Sequence, residues 1–261
     1  MSGTTDVELL APPLAALLSL ERIDRGLFRG GSGHLTEGAL YGGQVLGQAL
    51  MACGATVDPD RTPHSLHAYF LRRGDAGRPV IYRVENDRDG GSYSSRRVVA
   101  IQNGEVVLSM SASFRLRVGG ENYVPVPEPE KAKPIHAEPA VSLEVLVQKW
   151  PTAQEFFPRE FWVRPNVPLP EDNSLMHAAA IAYMSDFSTG LDRQHEGKVI
   201  GPSLDHTLWF HSEADWKDWL IVEHAPGIVR GSRGWYSGAI RNGSGEVVAS
   251  LAQEMVYREP R

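Results

Sequence analysis

One line of this sequence is written twice. "GEVVLSMSASF" begins at Gly104 and "GEVVASLAQEM" at Gly245, an offset of 245 − 104 = 141 residues, and both read Gly-Glu-Val-Val, a free position, Ser and an apolar residue. A repeat at that separation restricts the chain of 261 residues to architectures built from two copies of one medium-sized unit. The copies then diverge. Strand side chains alternate between faces, so Val247, Ala249, Leu251, Gln253 and Met255 share a face, as Val106, Leu108, Met110, Ala112 and Phe114 do. Gln253 interrupts an apolar row. A buried amide without partners costs roughly 1–3 kcal/mol, so either this face meets solvent or Gln253 has polar company.

The rest of the unit repeats as well. In the first copy "ALYGGQVLGQALMACGATV" is apolar nearly all round a helical wheel and reads as a helix enclosed by protein, with Gly43, Gly47 and Ala49 permitting close approach. The strands "HSLHAYFLRRGD", "PVIYRVEN", "SYSSRRVVAIQ" and "EVVLSMSASFRLRV" follow, with hairpin signals at "DRDGG" and "NG". In the second copy the helix is "NSLMHAAAIAYMSDFS", with Asn173 or Ser174 as its N-cap. "SLDHTLWFH" then stands where "HSLHAYFLR" stood, Trp209 over Tyr69 at 209 − 69 = 140, and "WLIVEHAPGIV", "SRGWYSGAIRN" and "GEVVASLAQEMVYR" complete a second meander. "RIDRGLFRG" and "REFWVRP" are candidate first strands ahead of the two helices. Between the halves lies the Pro, Glu and Lys-rich "YVPVPEPEKAKPIHAEPA". The expected division is a first unit over 1–118, a linker over 119–145 and a second unit over 146–261. The expected fold class is α+β, with two antiparallel sheets each wrapping a long buried helix.

That arrangement is the hotdog, and two in tandem make a double hotdog. The runs "GGQVLGQAL", "HAYFLRRGD", "RDGGSYSSRRVVAIQNG", "SDF", "SLDHTLWFH" and "AQE" resemble the acyl-CoA thioesterase II family, in order, from about Leu20 to Arg258. The resemblance implies hydrolysis of acyl-CoA to a free acid and coenzyme A, with no metal or other cofactor, by a water held between an Asp, a Thr or Ser, and a Gln. Carried over residue by residue, these are Asp186 of "SDF", Ser203 two places before the Asp-His pair, and Gln253 of "QE". Where the family often has Thr, Ser203 keeps the hydroxyl. The resemblance also implies association into a homo-oligomer, a dimer or larger.

The residues support that set in their own right. Asp186 follows "AAAIAYMS" near the C-terminal end of an enclosed helix, where the helix dipole and desolvation both disfavour the carboxylate. Gln253 and Ser203 each donate and accept, so with an ionised Asp186 they can fix a water. Each residue alone has an ordinary alternative: a solvated helix-end carboxylate, a turn serine beside Gly201 and Pro202, an exposed strand glutamine. Only the conjunction, with the resemblance, favours a site. Donors for a developing oxyanion are expected at a helix start, Gly42, Gly43 and Gln44 or Leu175 to Ala178, although helix-to-sheet packing explains the glycine pair equally well. Coenzyme A is polyanionic, and Arg72, Arg73, Arg88, Arg96 and Arg97 offer a basic rim, of which only part can converge because neighbours on a strand face opposite sides.

Composition narrows the rivals. A net charge of −6 and no basic tail argue against nucleic acid as the main partner. No apolar run reaches the roughly 18 residues of a membrane span, and stable membrane association is not expected. "LLAPPLAALLSL" carries two prolines behind an acidic "MSGTTDVE", and reads as a short helix packed on the first unit rather than a signal peptide. One cysteine, Cys53, allows no disulfide framework and makes the cytoplasm the default location. No Gly-x-Ser-x-Gly run is present, Cys53 lies mid-helix as a packing residue, and "HSLH" supplies only His64 and His67 towards a metal. "DNSLMH" imitates the motif of double-hotdog enoyl-CoA hydratases through Asp172 and His177, with the Asn one place early and the Pro missing. A binding module without turnover is the non-enzymatic alternative.

Overall fold

Both meanders and both helices form. The computed structural model describes residues 12–31, 38–117, 136–140, 142–147, 157–214 and 216–260. In chain order the elements are α1 (Leu14–Leu18), β1 (Leu20–Asp24), β2 (Leu27–Gly30), α2 (Gly42–Gly54), β3 (Arg61–Phe70), β4 (Val80–Asp89), β5 (Tyr93–Gln102) and β6 (Glu105–Leu116). They continue as β7 (His136–Ala140), β8 (Leu143–Val147), β9 (Glu160–Pro165), α3 (Ser174–Met184), β10 (Gln194–His195), β11 (Lys198–Ser203), β12 (Asp205–Phe210), β13 (Leu220–Arg230), β14 (Arg233–Arg241) and β15 (Val247–Arg258).

The sheet order displays the duplication. The first half runs β2-β4-β5-β6-β3 and the second β9-β13-β14-β15-β12, the same sequence of equivalents. They join edge to edge, β3 antiparallel to β12, with Thr207 opposite His67, Trp209 opposite Ser65 and Asp205 opposite Tyr69. Since 207 − 67 = 140 is also the repeat offset, the His67–Thr207 pair lies on the axis that exchanges the halves. Joining the two edges leaves no free strand at the centre of the sheet. The double hotdog expected from the repeat is therefore one continuous antiparallel sheet behind two helices.

Those helices pack on each other. A Cβ on Gly47 would stand 2.8 Å from the Ala179 carbonyl oxygen, and one on Gly43 would collide with that of Tyr183. Gly43 and Gly47 thus serve helix-to-helix rather than helix-to-sheet contact. Because Gly54 at the end of α2 meets Leu175 at the start of α3, the helices are antiparallel. Val45, Leu46, Leu50, Ile181 and Ala182 are buried with Leu66, Phe114 and Leu208 of the sheet. Side chains of this size contribute about 1.5–3 kcal/mol each on burial. The N-terminal helix α1 buries Leu14, Leu17 and Leu18 against both long helices, with Leu18 over Gly47, so it packs on both halves and not on the first alone.

Three segments depart from the sequence reading. "RIDRGLFRG" is a hairpin, not one strand, turning at Gly26 with φ of 68°. Residues 136–140 and 143–145, assigned to the linker, belong to the strands β7 and β8, which pair and add to the sheet beside β9. Pro139 is tolerated there because β7 is the outermost strand on that side. The β10–β11 hairpin, turning at Glu196 and Gly197 with φ of 50° and 76°, has no counterpart among the described residues of the first half. Among the described residues no helix is long and apolar enough to cross a membrane.

Candidate active site

Antiparallel packing carries the end of α3 to the start of α2, and Asp186 lies there, two residues beyond Met184. A Cβ on Gly42 would sit 2.5 Å from Asp186 Oδ2 and 3.1 Å from the Phe70 ring, so this position has room for glycine only. The Gly43 N–H donates to the Asp186 carboxylate. No side chain caps α2, and the Asp186 carboxylate is the anion that its first turn meets. From the sheet, β15 contributes Gln253, and β11 ends on Ser203 opposite Met255. Gln253 Nε2 donates to Asp186 Oδ1 at 2.8 Å and to Ser203 Oγ at 2.6 Å, while Ser203 Oγ donates to Asp186 Oδ1 at 3.3 Å. Gln253 is 1% exposed. Its row is interrupted because it faces polar company, not solvent.

Burial pushes the Asp186 carboxyl above the ordinary carboxylate range. His206, whose Nδ1 is 4.0 Å from Oδ1, and hydrogen bonds from Gln253, Ser203 and Gly43 oppose that shift without cancelling it. The result is a carboxylate with raised proton affinity and 9% of its side chain exposed. Desolvation acts as the sequence suggests. The start of α2 adds an influence of opposite sign that only the tertiary structure reveals.

Around this set are groups that sequence reasoning missed. The Tyr236 hydroxyl donates to Gln253 Oε1 at 2.6 Å, and His206 Nδ1 lies against the same oxygen at hydrogen-bond distance. His206 Nε2 is 2.8 Å from Ser185 Oγ, which is 2.9 Å from the Ala182 carbonyl oxygen. Burial lowers the His206 pKa and keeps the ring neutral. A signal for both was present: His206 shares a strand face with Leu208 and Phe210, a polar residue in an apolar row like Gln253 itself, and Tyr236 is the direct cross-strand partner of Gln253.

Comparison with known proteins places this geometry. Residues 32–115 match the acyl-CoA thioesterase N-terminal domain and residues 121–257 the acyl-CoA thioesterase C-terminal domain. Acyl-coenzyme A thioesterase 8 of Homo sapiens is 32% identical, over 98% of this chain and 92% of that protein. Acyl-CoA thioesterase 2 of Haemophilus influenzae is 31% identical, over 94% and 96%. The crystal structure of an acyl-CoA thioesterase II, TesB2, from Mycobacterium marinum superposes with a TM-score of 0.77 at 33% identity, covering 95% of this chain and 97% of that one. The chain belongs to the acyl-CoA thioesterase II family.

For a family member the remaining expected contacts fall unevenly. Gly43 is at the site through its backbone, but Gln44 is fully buried and donates from Nε2 to the Gly31 carbonyl oxygen at 2.9 Å, away from Asp186. Arg96 does not belong to a basic rim. It is 1% exposed, and its N–H groups go to Thr56, Arg88 O, Ser95 O and Asp89. Arg72 is exposed and paired with Glu105, and Arg97 is exposed and paired with Glu85 and Asp87. The hydratase-like pair lies at the start of α3, the opposite end from Asp186. There Asn173 caps the helix through Met176 N, and His177 Nε2 contacts Pro170 O at 2.9 Å. Cys53 is buried, and burial pushes its thiol up, as suits a packing residue.

Proposed function

We propose that the protein hydrolyses acyl-CoA thioesters, with Asp186 as general base and Ser203 and Gln253 as the groups that fix the water. The observation that supports this is convergence: side chains from the end of α3, from β11 and from β15 meet in the buried interior, and burial raises the basicity of the one carboxylate among them. Asp186 takes a proton as the water oxygen attacks the thioester carbonyl carbon. A C–O bond forms, the C–S bond breaks, and the departing coenzyme A sulfur receives the proton held by Asp186, which restores the carboxylate. Thiol release from an acyl-CoA tests it. Asp186→Asn keeps size but removes the base, and is expected to lower kcat by about 10²–10⁴ with little change in KM. Near wild-type hydrolysis by that variant would overturn the assignment.

The same reading takes the enzyme to be a cytoplasmic homo-oligomer. Its lone cysteine suits a reducing compartment. On the side of the sheet away from the helices, Tyr69, Trp209 and Trp235 are 62%, 39% and 40% exposed, which supports association through that face. Light scattering at micromolar concentration should report a dimer or larger.

A further inference from the structure

A primary amide has nearly the same shape either way round but opposite hydrogen-bonding sense at its two ends. The site requires Gln253 with Nε2 towards Asp186, and an ionised Asp186 enforces this by attraction. During turnover that hold fails. Once Asp186 carries the proton from water, its new O–H is satisfied by a carbonyl, and the flipped amide becomes a competitor. Resting on the assignment of Asp186 as the base, we propose that His206 and Tyr236 are positioning residues that clamp the Gln253 carbonyl and hold the amide in its working orientation while Asp186 is protonated.

The clamp is double and one-directional. Tyr236 OH is 2.6 Å from Gln253 Oε1 against 3.3 Å from Ser188 O, so its single proton goes to the amide. The phenol is fully buried and remains a donor. His206 is neutral and has one N–H to place. With the proton on Nδ1, that N–H donates to Gln253 Oε1, and the one proton of Ser185, whose Oγ is 2.8 Å from Nε2 and 2.9 Å from the Ala182 carbonyl oxygen, turns from that carbonyl to the closer Nε2. With the proton on Nε2, a ring lone pair would confront the carbonyl lone pairs of Gln253, unless the amide turned over. Ring tautomer and amide orientation are therefore one variable.

Packing alone does not require these residues. At the repeat offset His206 corresponds to Leu66 (206 − 66 = 140), which is as fully buried, and Gln253 corresponds to Ala112 (253 − 112 = 141). Clamp and clamped group occur in the same half.

The test is steady-state thiol release by Tyr236→Phe, His206→Leu and His206→Asn, with Asp186→Asn alongside. Tyr236→Phe and His206→Leu should each lower kcat by about tenfold, the worth of one hydrogen bond, and leave KM within about twofold. His206→Asn, whose side-chain N–H falls near Nδ1–H, should recover most of what Leu loses. Nitrogen-15 NMR of the wild type should show His206 as the Nδ1–H tautomer. If Tyr236→Phe and His206→Asn keep full kcat and His206→Leu does too, while Asp186→Asn is inactive, the clamp is wrong and the base stands. The Nε2–H tautomer in the wild type would also overturn it. An active Asp186→Asn would instead remove the base on which the clamp depends. Should His206→Leu fail to fold, Tyr236→Phe and the tautomer decide the matter.

Discussion

The two halves share a frame and differ at the same places. In the second half Asp186 stands two residues past its helix, Ser203 ends β11, His206 lies on the junction strand β12, and Gln253 faces Tyr236 across β14–β15. At the corresponding places the first half has Thr56, two residues past α2, then Pro63, Leu66 and Ala112, with Arg96 opposite Ala112 on β5–β6. Arg96 fills the room. Its guanidinium donates to Thr56 Oγ1 at 2.9 Å and to Thr56 O at 2.9 Å, where the other half has an amide donating to a carboxylate. One strand pair thus supports either an arginine that satisfies its surroundings by itself or a set of four groups that meet around a base. Each of these two sets is tolerated in the interior because its own donors find acceptors.

The chain length between helix and junction strand also differs. Helix ends are offset by 184 − 54 = 130 residues but the strands by 140, so the second half has about ten more residues after Asp186. They include β10 and its turn into β11, the strand that delivers Ser203. In the first half a cleft of about 530 Å³ lined by Thr56, Val57 and Val84 opens at the end of α2. The corresponding place beside α3 is closed down to about 110 Å³.

Writing first-half residues into the second half should give the largest effect. Asp186→Thr is expected to lower kcat by about 10²–10⁴, whereas Thr56→Val should leave it within about twofold, both read by thiol release. Equal losses would mean that the halves are not functionally distinct. Next in size is the arginine. Arg96→Met removes the donors to three backbone carbonyls and Thr56 Oγ1, and should cost ~2–4 kcal/mol in urea unfolding while the folded fraction keeps its kcat. A loss of kcat without loss of stability would give Arg96 a catalytic part that its burial denies it.

The repeat made most of this fold legible, since alternation and turn pairs mark both meanders and an all-apolar wheel marks both helices. What stayed hidden has particular causes. The β7 strand lies within a Pro and Glu-rich stretch whose composition resembles a linker, and its position at the sheet's edge removes the usual penalty on Pro139. Arg96 and Arg97 look alike in sequence, and only pairing shows which of two alternating neighbours turns inward. Asp186, Ser203 and Gln253 were legible through the resemblance, Gln253 also through its broken row. His206 and Tyr236 were read as strand residues because an aromatic or imidazole ring among apolar neighbours is ordinary core unless its partner is known.

Acid stability should separate the halves further. His224 on β13 is 6% exposed, has no hydrogen-bond partner at either ring nitrogen, and burial lowers its pKa to about 3. Its folded value lies below the unfolded one of about 6.5, so its neutral form stabilises fully above pH ~6.5 and that stability is lost as pH falls towards ~3. His206 shifts the same way. Asp186 has the opposite sign: with its folded pKa raised, stability is lost as pH rises through that value, so Asp186→Asn should raise Tm at neutral pH. The first half has Val84 where the second has His224 (224 − 84 = 140). His224→Val should flatten the acid limb of a Tm-against-pH profile by a few degrees, and an unchanged limb would place the sensitivity elsewhere.

The smallest effect is expected at Arg97. This side chain is 59% exposed and bonded to Asp87 at 2.9 Å and Glu85 at 2.9 Å, so its charge is already matched by two carboxylates. Exposed pairs of this kind add little to stability. Its counterpart in the second half is Ser237 (237 − 97 = 140), an uncharged residue on the same outward side of the sheet. Arg97→Ser should therefore change neither Tm nor the KM for an acyl-CoA by a measurable amount at moderate salt. A several-fold rise in KM that disappears at high salt would show Arg97 steering the polyanionic end of the substrate despite its partners. Arg72, paired with Glu105 at 3.0 Å, offers the matched control on the same half. If both substitutions are silent, phosphate recognition rests on residues other than this pair.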